Sequence, residues 1–130
     1  MPVSGIWEQE ESLWIGGRLA YMNHMAPGCL MAFPESGLVQ NDAILEAVDS
    51  APRWRSVSMT GRRLTEGDSV VVLGYMASAE RSGSNYRAIC TSVYRRDPEG
   101  WRLVQHQQTP LQTKICLLYT SDAADEEDSV

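Results

Sequence analysis

Few side chains in this sequence could carry acid–base or metal chemistry. The chain holds two histidines, His24 and His106, and three cysteines, Cys29, Cys90 and Cys116. Two imidazoles cannot complete a three-histidine zinc site, and an odd number of cysteines without C-x-x-C spacing argues against a zinc ribbon or a disulfide framework. Cys29 and Cys90 read as small buried hydrophobes. No phosphate-cradling loop is expected either, because Gly16-Gly17 lacks the G-x-G-x-x-G or G-K-S/T context, so no cofactor is assigned. The groups in better supply are amphipathic aromatics. Tyr21, Tyr75, Tyr86 and Tyr94 each carry a hydroxyl that needs a partner once buried, and Trp14 and Trp54 could wall a pocket for a flat ligand. His106 is the first residue to test as a general base, since imidazole titrates near neutrality. His24, close to a helix end, reads as structural.

These residues need elements to position them. Residues 5 to 26 have helical spacing: Trp7, Trp14 and Tyr21 recur every seven residues, and Leu13, Met22 and Met25 widen the stripe. Ser4 is available as an N-cap, with Glu8, Glu10 and Glu11 near the first turns, where acids complement the helix dipole. Gly16-Gly17 marks a place where this helix could break, and Pro27-Gly28 should end it. Cys29 to Phe33 suits a short strand, followed by the turn Pro34-Glu-Ser-Gly37. Asn41 or Asp42 can cap a second helix that Ala51-Pro52 stops. From Trp54 the period becomes two. Strands are expected over 54–64, 69–80, 86–96 and 101–109, and links this short demand antiparallel neighbours. The fold class is therefore α+β, with N-terminal helices gathered on the concave face of a curved antiparallel sheet.

Alternation along the last strand puts Trp101, Leu103, Gln105, Gln107 and Thr109 on one face, and Arg102, Val104, His106 and Gln108 on the other. The Trp101 face carries the larger apolar groups and is assigned inward, leaving His106 outward. A single bulge would exchange the two faces downstream of it.

The bulk numbers set the outer limits. The chain has 130 residues, 43% of them hydrophobic and 22% charged, which describes one globular domain. Its net charge of −6 is uneven. Residues 1–114 contain 11 bases and 12 acids, whereas Asp122, Asp125, Glu126, Glu127 and Asp128 meet no base after Lys114. No basic stripe with interleaved aromatics suggests nucleic acid, and no apolar run approaches the roughly 20 residues of a membrane span. With no secretory leader at Met1, a cytoplasmic location is expected.

The element succession, and above all the segment from Tyr86 through Tyr94-Arg-Arg-Asp-Pro-Glu-Gly-Trp-Arg-Leu-Val to Thr109, resembles the nuclear transport factor 2-like superfamily. Within it, the segment is most similar to the SnoaL-like branch and the uncharacterised DUF4440-type domains. The resemblance spans residues 5 to 111 and implies a cone-shaped sheet and a homodimer formed through its convex face. It also implies pocket acids near Glu35, which makes Glu35 a second candidate base beside His106. Relatives often carry paired histidines where this chain has Gln105 and Gln107, so those positions lack a titratable group and could only orient a ligand by hydrogen bonds. The segment Ile115-Cys-Leu-Leu-Tyr-Thr-Ser-Asp-Ala-Ala-Asp-Glu resembles a translated sequencing adaptor; its natural alternative is a short apolar anchor before an acidic end.

Residues 1–113 are thus expected to form one domain and 114–130 a non-native or disordered acidic tail. The expected function is small-ligand binding in an apolar cavity ringed by Trp14, Tyr75, Tyr86, Ser92, Gln105 and Gln107. Proton transfer of the isomerase, cyclase or dehydratase kind is compatible with such a cavity. The alternative is a non-catalytic homodimerisation or interaction module whose interior is filled by its own side chains.

Overall fold

A computed structural model describes residue 3, residues 5–51 and residues 53–111. Ser4, Cys116 and the acidic tail expected from residue 114 lie outside the described residues.

The N-terminal helical stretch is two helices. α1 spans Ile6–Ile15 and α2 spans Gly17–His24. The break falls at the glycine pair for two separate reasons. A Cβ on Gly16 would lie 2.6 Å from the Ser12 carbonyl oxygen, and Gly17 takes φ +68°, a left-handed conformation that side chains disfavour. The break resets the helical phase. Ala20 and Tyr21 face the core, whereas Leu19 and Met22, the latter expected on the apolar stripe, face out.

β1 begins earlier than its composition suggests, running Met25–Phe33 through Pro27-Gly28. The expected helix to residue 26 is corrected by this. The strand tolerates Pro-Gly because its pairing with the last strand is irregular between Met25 and Leu30, so no regular ladder bond is lost at Pro27. The Gly28 N–H donates instead to Asn41 Oδ1 at 2.8 Å. That contact occupies the Asn41 side chain, which therefore does not cap α3, Asp42–Ser50, although Asn41 holds the N-cap position.

β2 (Gly37–Gln40) follows the hairpin turn. After α3 come β3 (Ser56–Glu66), β4 (Val70–Arg81), β5 (Ser84–Asp97) and β6 (Gly100–Pro110). The sheet order is β2-β1-β6-β5-β4-β3. β3 to β6 form the expected antiparallel meander. The sheet as a whole is mixed, because β1 pairs parallel with β6. A parallel pair requires a long connection, which everything between the two strands supplies.

One irregularity decides which side chains face the helices. Tyr94 pairs with Leu103 and Val93 with Gln105, so Val104 is an extra residue in β6. Before the bulge Trp101 and Leu103 are buried; after it His106 is buried. The outward assignment of His106 is thereby corrected, and Gln105 and Gln107, expected inward, move to the outer face beside Val93 and Thr91.

The core has two adjoining parts. One joins Ile6, Tyr21, Met31, Ile44, Leu73 and Tyr94 with their neighbours beneath the helices. The other joins Trp14, Met59, Tyr75, Ala77, Ala88 and Cys90 where α1 crosses β4 and β5. Cys29 and Cys90 are free thiols, and burial pushes each up to about 12, so both stay protonated and inert at neutral pH. No helix among the described residues is long and apolar enough to cross a membrane.

Candidate functional site

The buried stripe of α1 contains a carboxylate. Ile6, Glu10, Leu13 and Trp14 all face the sheet, and Glu10 is 0% exposed. An isolated buried carboxylate would cost several kcal/mol, so its partners decide whether the helix can dock. Each oxygen is answered. Glu10 Oε2 accepts from the Tyr75 hydroxyl at 2.5 Å and from Ser92 Oγ at 2.6 Å, while Oε1 accepts from the Tyr94 hydroxyl at 2.6 Å. His106 Nδ1 lies 3.4 Å from Oε2.

Donor and acceptor accounting then assigns the imidazole. Ser92 spends its one hydrogen on Glu10, so at 2.7 Å its oxygen accepts from His106 Nδ1–H. His106 Nε2 lies 3.1 Å from Gln108 Nε2 and accepts from that amide, whose Oε1 in turn accepts from the Tyr86 hydroxyl at 2.9 Å. In this arrangement the Nδ1 proton points to Ser92.

The electrostatics agree with a closed network. Burial pushes the Glu10 carboxyl up, but hydrogen bonding from His106 and from the Ser92 and Tyr75 hydroxyls outweighs it and holds the group below its ordinary value. The Tyr75 and Tyr94 hydroxyls are pushed far up, first by burial and then by the Glu10 charge. Neither phenol can ionise near neutrality. They serve as fixed donors.

The network does not open onto solvent, but it holds the walls of something that does. Trp14 Nε1 donates to the Tyr75 hydroxyl at 2.9 Å, and the Trp14 ring meets His106 edge-on at 6.4 Å. Gln108 anchors Tyr86. Trp14, Tyr86 and Gln108 all line an adjoining cavity of about 590 Å³ between α1, α2, α3 and the open end of the sheet. Tyr86 stacks on Trp54 at 5.5 Å with 14° between the rings, and Arg81 covers the Trp54 ring at 4.0 Å. Burial, with the Glu35 charge adding to it, pushes the Tyr86 hydroxyl up to about 12.

The expected site residues thus fall in three places. Trp14 and Tyr86 line the cavity, as does Glu35 on the β1–β2 turn. Tyr75, Ser92 and His106 sit one layer beneath, around Glu10. Gln105 and Gln107 are on the far face, where Gln107 Oε1 accepts from Thr91 Oγ1 at 2.8 Å. Sequence reasoning missed Glu10, which it placed among helix-dipole acids. A signal was present: Glu10 lies four residues after Ile6 and three before Leu13 as well as three after Trp7, at the middle of the apolar stripe, whereas Glu11 lies five after Ile6 and two before Leu13. Gln108 was missed with the face exchange at Val104. Among the described residues, no group of three or more His, Cys, Asp or Glu side chains is placed to hold a metal ion.

No protein-family model and no curated protein matches the sequence. Solved structures do. A proposed ketosteroid isomerase from Parabacteroides distasonis superposes with a TM-score of 0.72 at 18% identity, covering 83% of this chain and 86% of that one. The CaMKII hub of S. rosetta gives 0.71 at 16% identity, covering 85% and 98%. A nuclear transport factor 2-like protein of unknown function from Prochlorococcus marinus gives 0.71 at 13% identity, covering 90% and 98%. The chain has the nuclear transport factor 2-like fold. Identities this low speak to architecture alone.

Proposed function

We propose that this protein is a small-ligand-binding domain, with the aromatic-walled cavity as its site. The observation that carries the reading is an open cavity of about 590 Å³ lined by both aromatic and polar groups. That volume lies inside the roughly 300–1,000 Å³ typical of ligand pockets, and a module whose interior served only as core would have filled it. The buried network supports binding by fixing the walls. It does not offer a base to a ligand, since Glu10 is fully buried under three hydroxyl donors and the His106 Nε2 lone pair is taken by Gln108. Of the two candidate bases, Glu35 is the one at the cavity, and Glu35→Gln is the variant to examine if turnover is found.

Thermal-shift screening of the full chain against a library of small organic molecules tests the reading. Stabilising compounds are expected, because a ligand that binds only the folded state raises its apparent stability by mass action. Filling the cavity with Ala47→Trp should abolish their effect. A library without a single stabilising compound, or shifts that survive Ala47→Trp, would overturn it.

We further infer a homodimer through the outer face of the sheet. That face carries apolar cross-strand neighbours, Met76 beside Ile89 and Val72 beside Val93, and Ile89 is 47% exposed. Two copies packed there would cover them. Light scattering on the full chain should report twice the chain mass, and a monomer at micromolar concentration would refute the dimer.

A further inference from the structure

The cavity lining is electrically uneven. Three guanidiniums, Arg18, Arg53 and Arg81, face two carboxylates, Glu35 and Asp49. Arg18 and Asp49 pair with each other, so their charges cancel locally. Arg53 is exposed and meets no carboxylate among the described residues. Its guanidinium is seated over Gly17, where a Cβ would come within 2.9 Å of Nε and Nη2. The missing side chain of Gly17 is what lets that planar group lie at the cavity wall. Arg81 lies over the Trp54 ring at 4.0 Å, Tyr86 stacks on Trp54 with 5.5 Å between centroids, and Trp14 meets Tyr86 at 6.2 Å with the rings tilted by 42°.

On the ligand-binding reading above, we propose that this cavity takes a flat aromatic monocarboxylate, its ring system lying against the Trp54, Tyr86 and Trp14 wall and its carboxylate on Arg53. A guanidinium presents parallel N–H donors that match the two oxygens of a carboxylate, and the partly enclosed setting makes that pair stronger than one in open water. The charges flanking the site limit the ligand further. A second anionic group would meet Glu35, and a cationic aromatic would meet Arg53.

The test is calorimetric titration of the full chain with three probes of one shape: naphthoate, its neutral analogue naphthylmethanol, and naphthalenedicarboxylate. Naphthoate is expected to bind, with the alcohol and the dicarboxylate each at least about fivefold weaker, the scale of a partly exposed ion pair. Arg53→Gln should remove most of naphthoate's advantage while leaving the alcohol unchanged. Glu35→Gln should bring the dicarboxylate closer to naphthoate. Both side chains are exposed, so the variants should retain the fold, which an unchanged melting temperature checks. Equal affinity for naphthoate and the alcohol, or an equal loss of both in Arg53→Gln, would overturn the carboxylate assignment while leaving the cavity a binding site. Absence of binding by all three probes would overturn it as well, and the library screen with Ala47→Trp decides separately whether the cavity binds anything.

Discussion

Two polar regions lie one side-chain layer apart and follow opposite rules. Around Glu10 both carboxylate oxygens have donors and every hydroxyl hydrogen has an acceptor: three hydroxyls on the carboxylate, an imidazole on the serine, an amide on the imidazole. Across Trp14 and Gln108, the cavity exposes Arg53 and Glu35 to solvent. A buried group must find its partners within the chain, because water cannot supply them. Groups at a cavity wall are solvated until a ligand replaces the water. The closed region is therefore a fastening between α1 and the sheet, and the open one is where another molecule can add partners.

The largest effect should come from breaking the closed region. Glu10→Ala leaves the Tyr75, Tyr94 and Ser92 hydroxyls without their acceptor, and a loss on the order of 3–5 kcal/mol is expected in urea unfolding. A loss below about 1 kcal/mol would show that water had entered and satisfied them. Acid should do the same work gradually. The folded-state pKa of Glu10 lies below its ordinary value of 4.5, so below that value the unfolded chain takes up the proton more readily than the folded one. The stabilisation is complete above the ordinary value and is lost as pH falls through the folded value. Urea midpoints followed from about pH 6 to about pH 3 should drop more steeply in the wild type than in Glu10→Gln. Parallel profiles would remove Glu10 from the account.

The open region should respond with smaller changes in stability and larger ones in binding. Gly17→Ala forces a side chain into φ +68° and displaces the Arg53 guanidinium. A cost of about 1–2 kcal/mol is expected, together with a weakened naphthoate complex by calorimetry. Unchanged affinity would mean that Arg53 holds its place without the glycine. Ile89→Lys, on the outer face, should change monomer stability by less than about 0.5 kcal/mol while shifting light scattering toward the monomer mass. A dimer that persists would place self-association elsewhere on the surface.

Most of the fold could be read from local patterns. The change of period at Trp54 marked the four-strand meander, because alternation and turn chemistry act over a few residues and need no distant partner. The glycine pair likewise marked the helix break. β1 was read short because Pro27-Gly28 is a stop signal by composition, and it is tolerated only where the pairing with β6 is irregular. The candidate site was legible in part. Trp14, Tyr86 and Glu35 reach the cavity, whereas His106 and the glutamines exchanged faces at Val104, an ordinary strand residue that becomes a bulge only through its pairing with β5.

Sequence alone determined the fold class and the period of most elements, since these follow from residue type and a spacing of two or of 3.6. Tertiary structure decided which polar groups are closed and which are open. Glu8, Glu10 and Glu11 are one residue type within a single turn, yet only Glu10 faces Tyr75, Ser92 and Tyr94. Those three come from β4 and β5, more than sixty positions along the chain, and no local pattern encodes such a meeting.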